Sequence, residues 1–182
     1  GAAATSWGQG ASLDRGALPS SAGPLSGAMA SSASSELVLS WKNVRLTRSD
    51  VALLAPGQWL NDQCITFYLE YLAKQHGAAA SRVLFLGAET AFWLLNEEDE
   101  EDLADAAEGL ELREKDLFIC PLNDNTNVEL ANGGSHWSLL VARATTPQQE
   151  EDQSSSSGGL CCEYYDSMAS SSLPAARALA AK

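Results

Sequence analysis

The chain has 182 residues, of which 24 are acidic and 11 basic, giving a formal net charge of -13. This charge argues against a nucleic-acid binder, and no apolar run approaches the length that spans a membrane. The four cysteines have neither the spacing of a zinc site nor that of a disulfide framework beside an export signal. We therefore expect a soluble monomer of the cytoplasm or nucleus, with reduced thiols and no cofactor.

Residues 1 to 35 are mostly Gly, Ala, Ser and Pro, with few large apolar side chains. Such a composition cannot offset the entropy of ordering, so we expect a disordered arm before a single domain over residues 36–182. The sequence starts with Gly1 rather than methionine and stops at Lys182 within an Ala-rich helical pattern. We expect it to be a fragment.

The first half of the domain predicts one strand and then helices. Glu36 to Trp41 is a short apolar run typical of a strand. Thr47 and Asp50 have the spacing of a helix-start signal. A longer central helix is expected from the N-cap Asn61 to about His76, because its apolar residues recur three and four positions apart. A short strand, a short helix and an exposed acidic run should follow, at Val83–Leu86, Glu89–Leu95 and Glu97–Asp102.

The second half predicts three neighbouring strands. They are Leu117 to Leu122, the run beginning at His136, and Leu160 to Asp166. Between the last two lies a low-complexity insert, residues 145–159. Helices before and after a small, mostly antiparallel sheet indicate an α+β domain.

His136 follows two glycines and a serine and leads directly into a strand, so a rigid and accessible imidazole is expected there. Imidazole has a pKa close to neutrality and is the usual general base. Asp166 ends the next apolar run and could orient the imidazole from the adjacent strand. A base with an orienting carboxylate calls for a nucleophile.

Four motifs occur in a specific order. They are Trp59-Leu60-Asn61-Asp62 at a helix start, Leu122-Asn123-Asp124-Asn125 after a strand, Gly133 to Leu140 around the histidine, and Tyr165-Asp166-Ser167. Together they resemble the ubiquitin-like-protein-specific cysteine proteases, and within that family the deneddylase branch. The resemblance covers roughly Leu37 to Lys182. It implies a papain-like α+β fold, here incomplete.

The resemblance makes His136 the general base and Asp166 its orienting residue. It implies that Trp59 and Trp137 cover a narrow tunnel for the Gly-Gly tail of a ubiquitin-like modifier, with the neddylation modifier favoured. Asp62 would contact the modifier. The alternatives are ordinary core packing for the two tryptophans and helix-dipole stabilisation for Asp62.

This sequence departs from the family pattern at the position of the nucleophile. In the family it follows the aspartate, in a segment with a glutamine and Asp-Cys-Gly, and no such segment follows Asp166 here. Cys64 is a candidate substitute because it is the third residue of a helix, where the dipole lowers a thiol pKa from about 8.5. Its place on the apolar side of the helix argues against it. Cys120, Cys161 and Cys162 lie within strand patterns, where buried thiols are usual, so we expect the chain alone to be inactive.

Two other functions are compatible with the sequence. One is a binding module that holds the modifier's tail without cutting it. The other is a metal hydrolase with His136, Asp124 and Asp166 as ligands, although one histidine and two acids are few for zinc.

Overall fold

The computed structural model describes residues 5–9, 34–130, 133–145, 159–168 and 172–182. Seven strands lie within these ranges: β1 (Thr5–Gln9), β2 (Leu37–Trp41), β3 (Val44–Thr47), β4 (Val83–Phe85), β5 (Leu117–Asn123), β6 (Trp137–Ala144) and β7 (Leu160–Tyr165). The α-helices in the same ranges are α1 (Arg48–Ala52), α2 (Asp62–His76), α3 (Ala88–Asn96), α4 (Glu100–Gly109) and α5 (Leu173–Ala180).

The main sheet is mixed, with strand order β1-β7-β6-β5-β4. Its three middle strands, β5, β6 and β7, are antiparallel neighbours, as expected from the sequence. The outer strands β1 and β4 pair in parallel with β7 and β5, so only the middle of the sheet is antiparallel. With helices packed against this sheet, the α+β class is confirmed.

The main core lies between the sheet and two helices that come from distant parts of the sequence. Its buried residues include Leu94 of α3, Leu122 of β5, Leu140 of β6, Cys162 of β7 and Ala176 of α5. These elements hold the ends of β6 and β7 in place. The site described below is built on those ends.

Helix α2 begins as predicted but is not the centre of the fold. The Asn61 side chain accepts a hydrogen bond from the Cys64 amide at 3.1 Å, which starts the helix. Only Cys64 and Leu69 of this helix are buried. The sequence predicted one strand before this helix, but β2 and β3 form a hairpin beside α2. Cys64 therefore belongs to a smaller cluster with Val44 and Leu46 of β3.

The capping box predicted before α1 is present. The Thr47 amide donates to the Asp50 carboxylate at 2.7 Å, and the Thr47 side chain accepts from the Asp50 amide. The acidic run was expected to be exposed and to be followed by a weak helical segment over Leu103 to Ala107. Residues 98–102 are exposed as expected, but the helix is longer and begins within the run, at Glu100. Asp99 caps α4 by accepting from the Glu101 amide at 2.8 Å, and acidic side chains are favourable in the first turn of a helix.

Two of the predicted low-complexity regions lie largely outside the described residues. Within the arm of residues 1 to 35, which was expected to be disordered, Thr5–Gln9 form strand β1 on the edge of the main sheet. Of the insert, residues 146–158 are not described, and its ends Thr145 and Gly159 are joined by a backbone hydrogen bond of 2.8 Å. Among the described helices, none has the length and apolar character to cross a membrane.

Candidate active site

His136 and Asp166 meet at one end of the main sheet. His136 immediately precedes β6 and Asp166 immediately follows β7, and these antiparallel strands bring the two residues to the same end. The Nε2 atom of His136 lies 2.5 Å from Oδ1 of Asp166, and both side chains are only 4% exposed. Because Asp166 occupies Nε2, the neutral imidazole carries its proton there and leaves the lone pair of Nδ1 available.

Asp166 is held as a carboxylate by three donors. Burial would raise the pKa of Asp166, but hydrogen bonds from the Met168 amide, His136 and the Tyr164 hydroxyl outweigh it, and the pKa is lowered. The Met168 amide lies 2.7 Å from Oδ1 and the Tyr164 hydroxyl 2.9 Å from Oδ2. An ionised Asp166 can therefore orient the imidazole and stabilise its protonated form.

A second carboxylate, Asp124, fixes the backbone that carries His136. Oδ1 of Asp124 accepts from the amides of Ser135 at 2.6 Å and His136 at 3.0 Å, and its Oδ2 accepts from the Ser135 hydroxyl at 2.9 Å. Burial acts to raise the pKa of Asp124, but these bonds lower it overall. From the sequence, Asp124 was assigned to the motif that follows a strand and to a possible set of metal ligands, but not to this role.

Gly134 is required where this loop passes Asn123. Its φ is +84°, and a Cβ atom added there would lie 1.8 Å from Oδ1 of Asn123. A side chain would therefore collide with the end of β5 as well as strain the backbone. The glycine before the histidine is thus explained by a close approach between two strand ends.

The histidine opens onto a cavity of about 510 Å³ that both tryptophans line. The Trp137 indole nitrogen donates to the Leu60 carbonyl at 2.9 Å, which fixes one wall. Trp59 is 66% exposed, so it is not core packing. Asp62 also lines this cavity while standing in the first turn of α2. Four of the five predicted site residues therefore line one cavity, and the fifth, Asp166, contacts His136 behind it.

Asp62 has a second carboxylate near it. Burial raises the pKa of Glu89, and the charge of Asp62 and a hydrogen bond with it raise that pKa further. Oε1 of Glu89 also accepts from the Gln63 side chain at 2.6 Å. The rim of the cavity beside α2 is consequently acidic.

The four cysteines are all described. Burial raises the pKa of Cys64, with a further increase from the charge of Asp50, and its thiol donates to the Asp50 carbonyl at 3.3 Å. The helix dipole does not produce a reactive thiol there. Burial also raises the pKa of Cys120 to about 12 and that of Cys162 to about 11. These three thiols are protonated near neutral pH.

Within the described part of the chain, no three His, Cys, Asp or Glu side chains group in a way that could hold a metal ion. The oxygens of Asp124 face the Ser135 and His136 amides instead of joining Asp166 around the imidazole. The set of His136, Asp124 and Asp166 is therefore a positioning network in this structure.

Comparison with known proteins gives several relatives, although no family model matches. The chain is 43% identical over 113 residues to NEDD8-specific protease 1 of Arabidopsis thaliana, covering 62% of this chain and 49% of the relative. It is 39% identical over 106 residues to sentrin-specific protease 8 of Homo sapiens, covering 58% and 49%. The chain thus spans about half the length of the curated relatives it matches.

The solved structures that match include that of the SUMO protease Ulp1 with the catalytic cysteine oxidized to a sulfenic acid. The TM-score is 0.45 at 22% sequence identity, and the match covers 60% of this chain and 45% of that one. The fold class given above rests on the strands and helices themselves.

Proposed function

We propose that this chain, which is similar to proteases specific for ubiquitin-like modifiers, carries the base and the tail-binding surface of a peptidase that cleaves after the Gly-Gly terminus of a ubiquitin-like modifier. The resemblance inferred from the four motifs, including its deneddylase branch, is confirmed by these relatives. The observation that carries the proposal is the His136–Asp166 pair, which opens on a cavity lined by Trp59 and Trp137.

The hydrogen bond between His136 and Asp166 supports Nδ1 as the ring nitrogen that accepts and returns the proton during catalysis. With Nε2 of His136 bonded to Asp166, Nδ1 accepts the proton of a cysteine thiol. The thiolate attacks the carbonyl carbon of the terminal glycine, and the resulting oxyanion collapses as the C–N bond breaks. The imidazolium returns its proton to the leaving amine. Water, deprotonated at the same Nδ1, then hydrolyses the thioester and restores the thiol.

The two tryptophans suit a tail without side chains. Trp137 is fixed by its hydrogen bond to the Leu60 carbonyl, and Trp59 exposes most of its side chain beside the same cavity. Glycine can pass between two indole rings, and a bulkier residue would collide with them. Asp62 lines the same cavity, which supports the proposal that it contacts the modifier.

We further propose that the 182 residues alone do not cleave. Cys64, Cys120 and Cys162 are buried with raised pKa values, so none of them supplies the thiolate. Cys161 pairs with Arg143, whereas His136 precedes the opposite end of β6, so its thiol is not beside the imidazole. The neddylation modifier is the proposed substrate because one relative is named a NEDD8-specific protease. A cytoplasmic or nuclear monomer remains the proposed state.

The decisive experiment compares two proteins on a panel of C-terminal fusions of NEDD8, SUMO and ubiquitin. The first is the 182-residue chain, and the second extends it through a downstream segment with a glutamine and Asp-Cys-Gly. We expect cleavage of the NEDD8 fusion only by the second, and its loss in His136→Ala. Covalent labelling of Cys64 in the first protein by a modifier-based electrophile would overturn the proposal.

A binding module is the second candidate, favoured by the absence of a reactive cysteine beside His136. It predicts that the chain binds a modifier with an intact Gly-Gly tail and not one that lacks it, and that the extended protein binds without cutting. The metal-hydrolase alternative is tested by elemental analysis of the purified protein. A stoichiometric metal ion that is lost in Asp124→Ala would support it.

A further inference from the structure

Tyr164 lies near the end of β7, two residues before Asp166, and its ring packs in the main core at 8% exposure. Its hydroxyl donates to Oδ2 of Asp166 at 2.9 Å and accepts from the Ser172 amide at 3.2 Å. A phenol has one proton, and an amide can only donate to it. The Ser138 hydroxyl also hydrogen-bonds Tyr164 and lowers its pKa, as a donor to the phenol does. The ionised Asp166 carboxylate can only accept, so the Tyr164 proton is directed to Asp166.

The bond from Tyr164 completes the restraint of the Asp166 carboxylate. Oδ1 accepts from both His136 and the Met168 amide, while Oδ2 accepts from Tyr164. A carboxylate held through one oxygen can rotate about its Cβ–Cγ bond, and the imidazole would move with it. Holding the second oxygen prevents that rotation and so fixes the direction of Nδ1 of His136.

The Tyr164 hydroxyl remains a donor at neutral pH. Burial raises the pKa of Tyr164 above its ordinary value, with further increases from the hydrogen bond to Asp166 and the charge of that carboxylate, and these outweigh the hydrogen bonds from Ser138 and the Ser172 amide, which lower it. The Ser172 amide belongs to the residue that precedes α5. The donors thus converge on the Asp166 carboxylate, from the start of α5 through Tyr164 on one side and from His136 on the other.

We propose that Tyr164 is a positioning residue for His136, acting through Asp166 and coupling the pair to the N-terminal end of α5. The catalytic consequence rests on the proposed peptidase function, whereas the structural consequence does not. The competing explanation is that Tyr164 only fills the core. Tyr164→Phe separates the two, because it keeps the packed ring and removes one oxygen atom.

Tyr165→Phe is the matched control. It makes the same chemical change at the next residue of the chain, where the hydroxyl is hydrogen-bonded to Glu163 and the side chain is 37% exposed. Both variants should unfold at nearly the same denaturant concentration if only packing matters. Any difference between them at His136 must then come from the hydroxyl that faces Asp166.

The main measurement is the ¹⁵N spectrum of the histidine rings, which is simple because the chain has two histidines and His76 is exposed. In the parent protein we expect His136 to show a protonated Nε2 and an unprotonated Nδ1. In Tyr164→Phe these two signals should move toward each other and the Nε2 proton should exchange faster. His76 should not change, and Tyr165→Phe should match the parent.

A kinetic measurement follows in the extended, active protein. Loss of one hydrogen bond predicts that kcat falls about three- to tenfold in Tyr164→Phe with KM nearly unchanged. If Tyr164→Phe does not fold, the four tyrosines can be replaced by 3-fluorotyrosine, which keeps the hydroxyl but makes it a stronger donor. The His136 signals should then shift. Unchanged His136 signals in a folded variant, or equal changes in both variants, would overturn the proposal. If the His136 signals shift but the extended protein cleaves no fusion, that result counts only against the peptidase function.

Discussion

The indole nitrogen of Trp137 donates a hydrogen bond to the carbonyl oxygen of Leu60, 2.9 Å away. Trp137 starts β6, next to His136, and Leu60 lies two residues before α2. The bond therefore joins two elements that are distant in sequence and sets the width of the cavity between them. Trp59, the neighbour of Leu60, stands over the same cavity without being buried.

Because Trp59 is exposed and Trp137 is hydrogen-bonded, substituting them should change the free energy of unfolding by different amounts. Trp59→Ala removes a side chain that is 66% exposed, so the free energy of unfolding should change by at most about 0.5 kcal/mol. Trp137→Phe loses a hydrogen bond and should destabilise by about 1 kcal/mol. Urea unfolding measures both. In the extended enzyme, Trp59→Ala should nevertheless lower turnover strongly, and an equal loss of stability would instead indicate core packing.

The thiols predict an order of reactivity. Cys161 is half-buried, whereas burial raises the pKa of Cys64, Cys120 and Cys162 and keeps them as thiols near pH 7. A soluble disulfide reagent should therefore modify one thiol quickly in the folded protein and all four after denaturation. Cys161→Ser should abolish the fast phase. Rapid modification of Cys64 would contradict the burial described here and reopen its role as a nucleophile.

The ends of the low-complexity insert predict that its interior can be replaced. The Thr145 amide donates to the Gly159 carbonyl at 2.8 Å, and the Gly159 amide donates to the Thr145 hydroxyl at 3.1 Å. These bonds continue the β6–β7 ladder beyond the pair of Ala144 and Leu160. Replacing residues 146–158 with Asn-Gly should leave the melting temperature unchanged or higher, since a shorter loop costs less entropy to close. Unfolding of the variant would show that the strand pairing depends on the insert.

Local features of the fold were predictable from sequence and distant pairings were not. The caps at Thr47 and Asn61 depend on hydrogen bonds to residues three positions away, so the sequence contains both partners. The parallel pairing of Thr5–Gln9 with β7 joins segments some 150 residues apart, and a composition of small residues gives no sign of it. Helix α2 looked central because its apolar face is wide, but the hairpin covers only part of that face.

The same distinction holds at the site. His136 and Asp166 could be paired from sequence because each lies at the end of an apolar run and the runs are neighbours. The contributions of Tyr164 and Asp124 were missed, since each acts by a hydrogen bond whose partner is defined only after the strands are aligned. The asparagine and aspartate after β5 were noted only as one of the four motifs and, for the aspartate, as a possible metal ligand. In two consecutive antiparallel strands, the residues after the first strand lie beside those before the second. That expected position beside the glycines before His136 could have identified Asp124.

Asp124 predicts a pH dependence of stability. Its pKa is lowered below the ordinary value of 3.8, since burial is outweighed by hydrogen bonds from Ser135 and His136. A carboxyl whose pKa is lower in the folded state stabilises the fold above its unfolded pKa, and this stabilisation is lost as the pH falls through the folded pKa. Asp124→Asn should therefore cost about 1 to 3 kcal/mol at pH 7, with a difference from the parent that shrinks below pH 3.8.

Urea unfolding from pH 7 to about pH 3 tests this expectation, and Asp105→Asn is the control because Asp105 is exposed on α4. The control should stay within about 0.5 kcal/mol of the parent at pH 7. The ring signals of His136 should also broaden in Asp124→Asn, since its backbone amide loses a charged acceptor, while those of His76 should not. A cost for Asp124→Asn that is the same at every pH would mean that the neutral acid holds the loop as well as the carboxylate does.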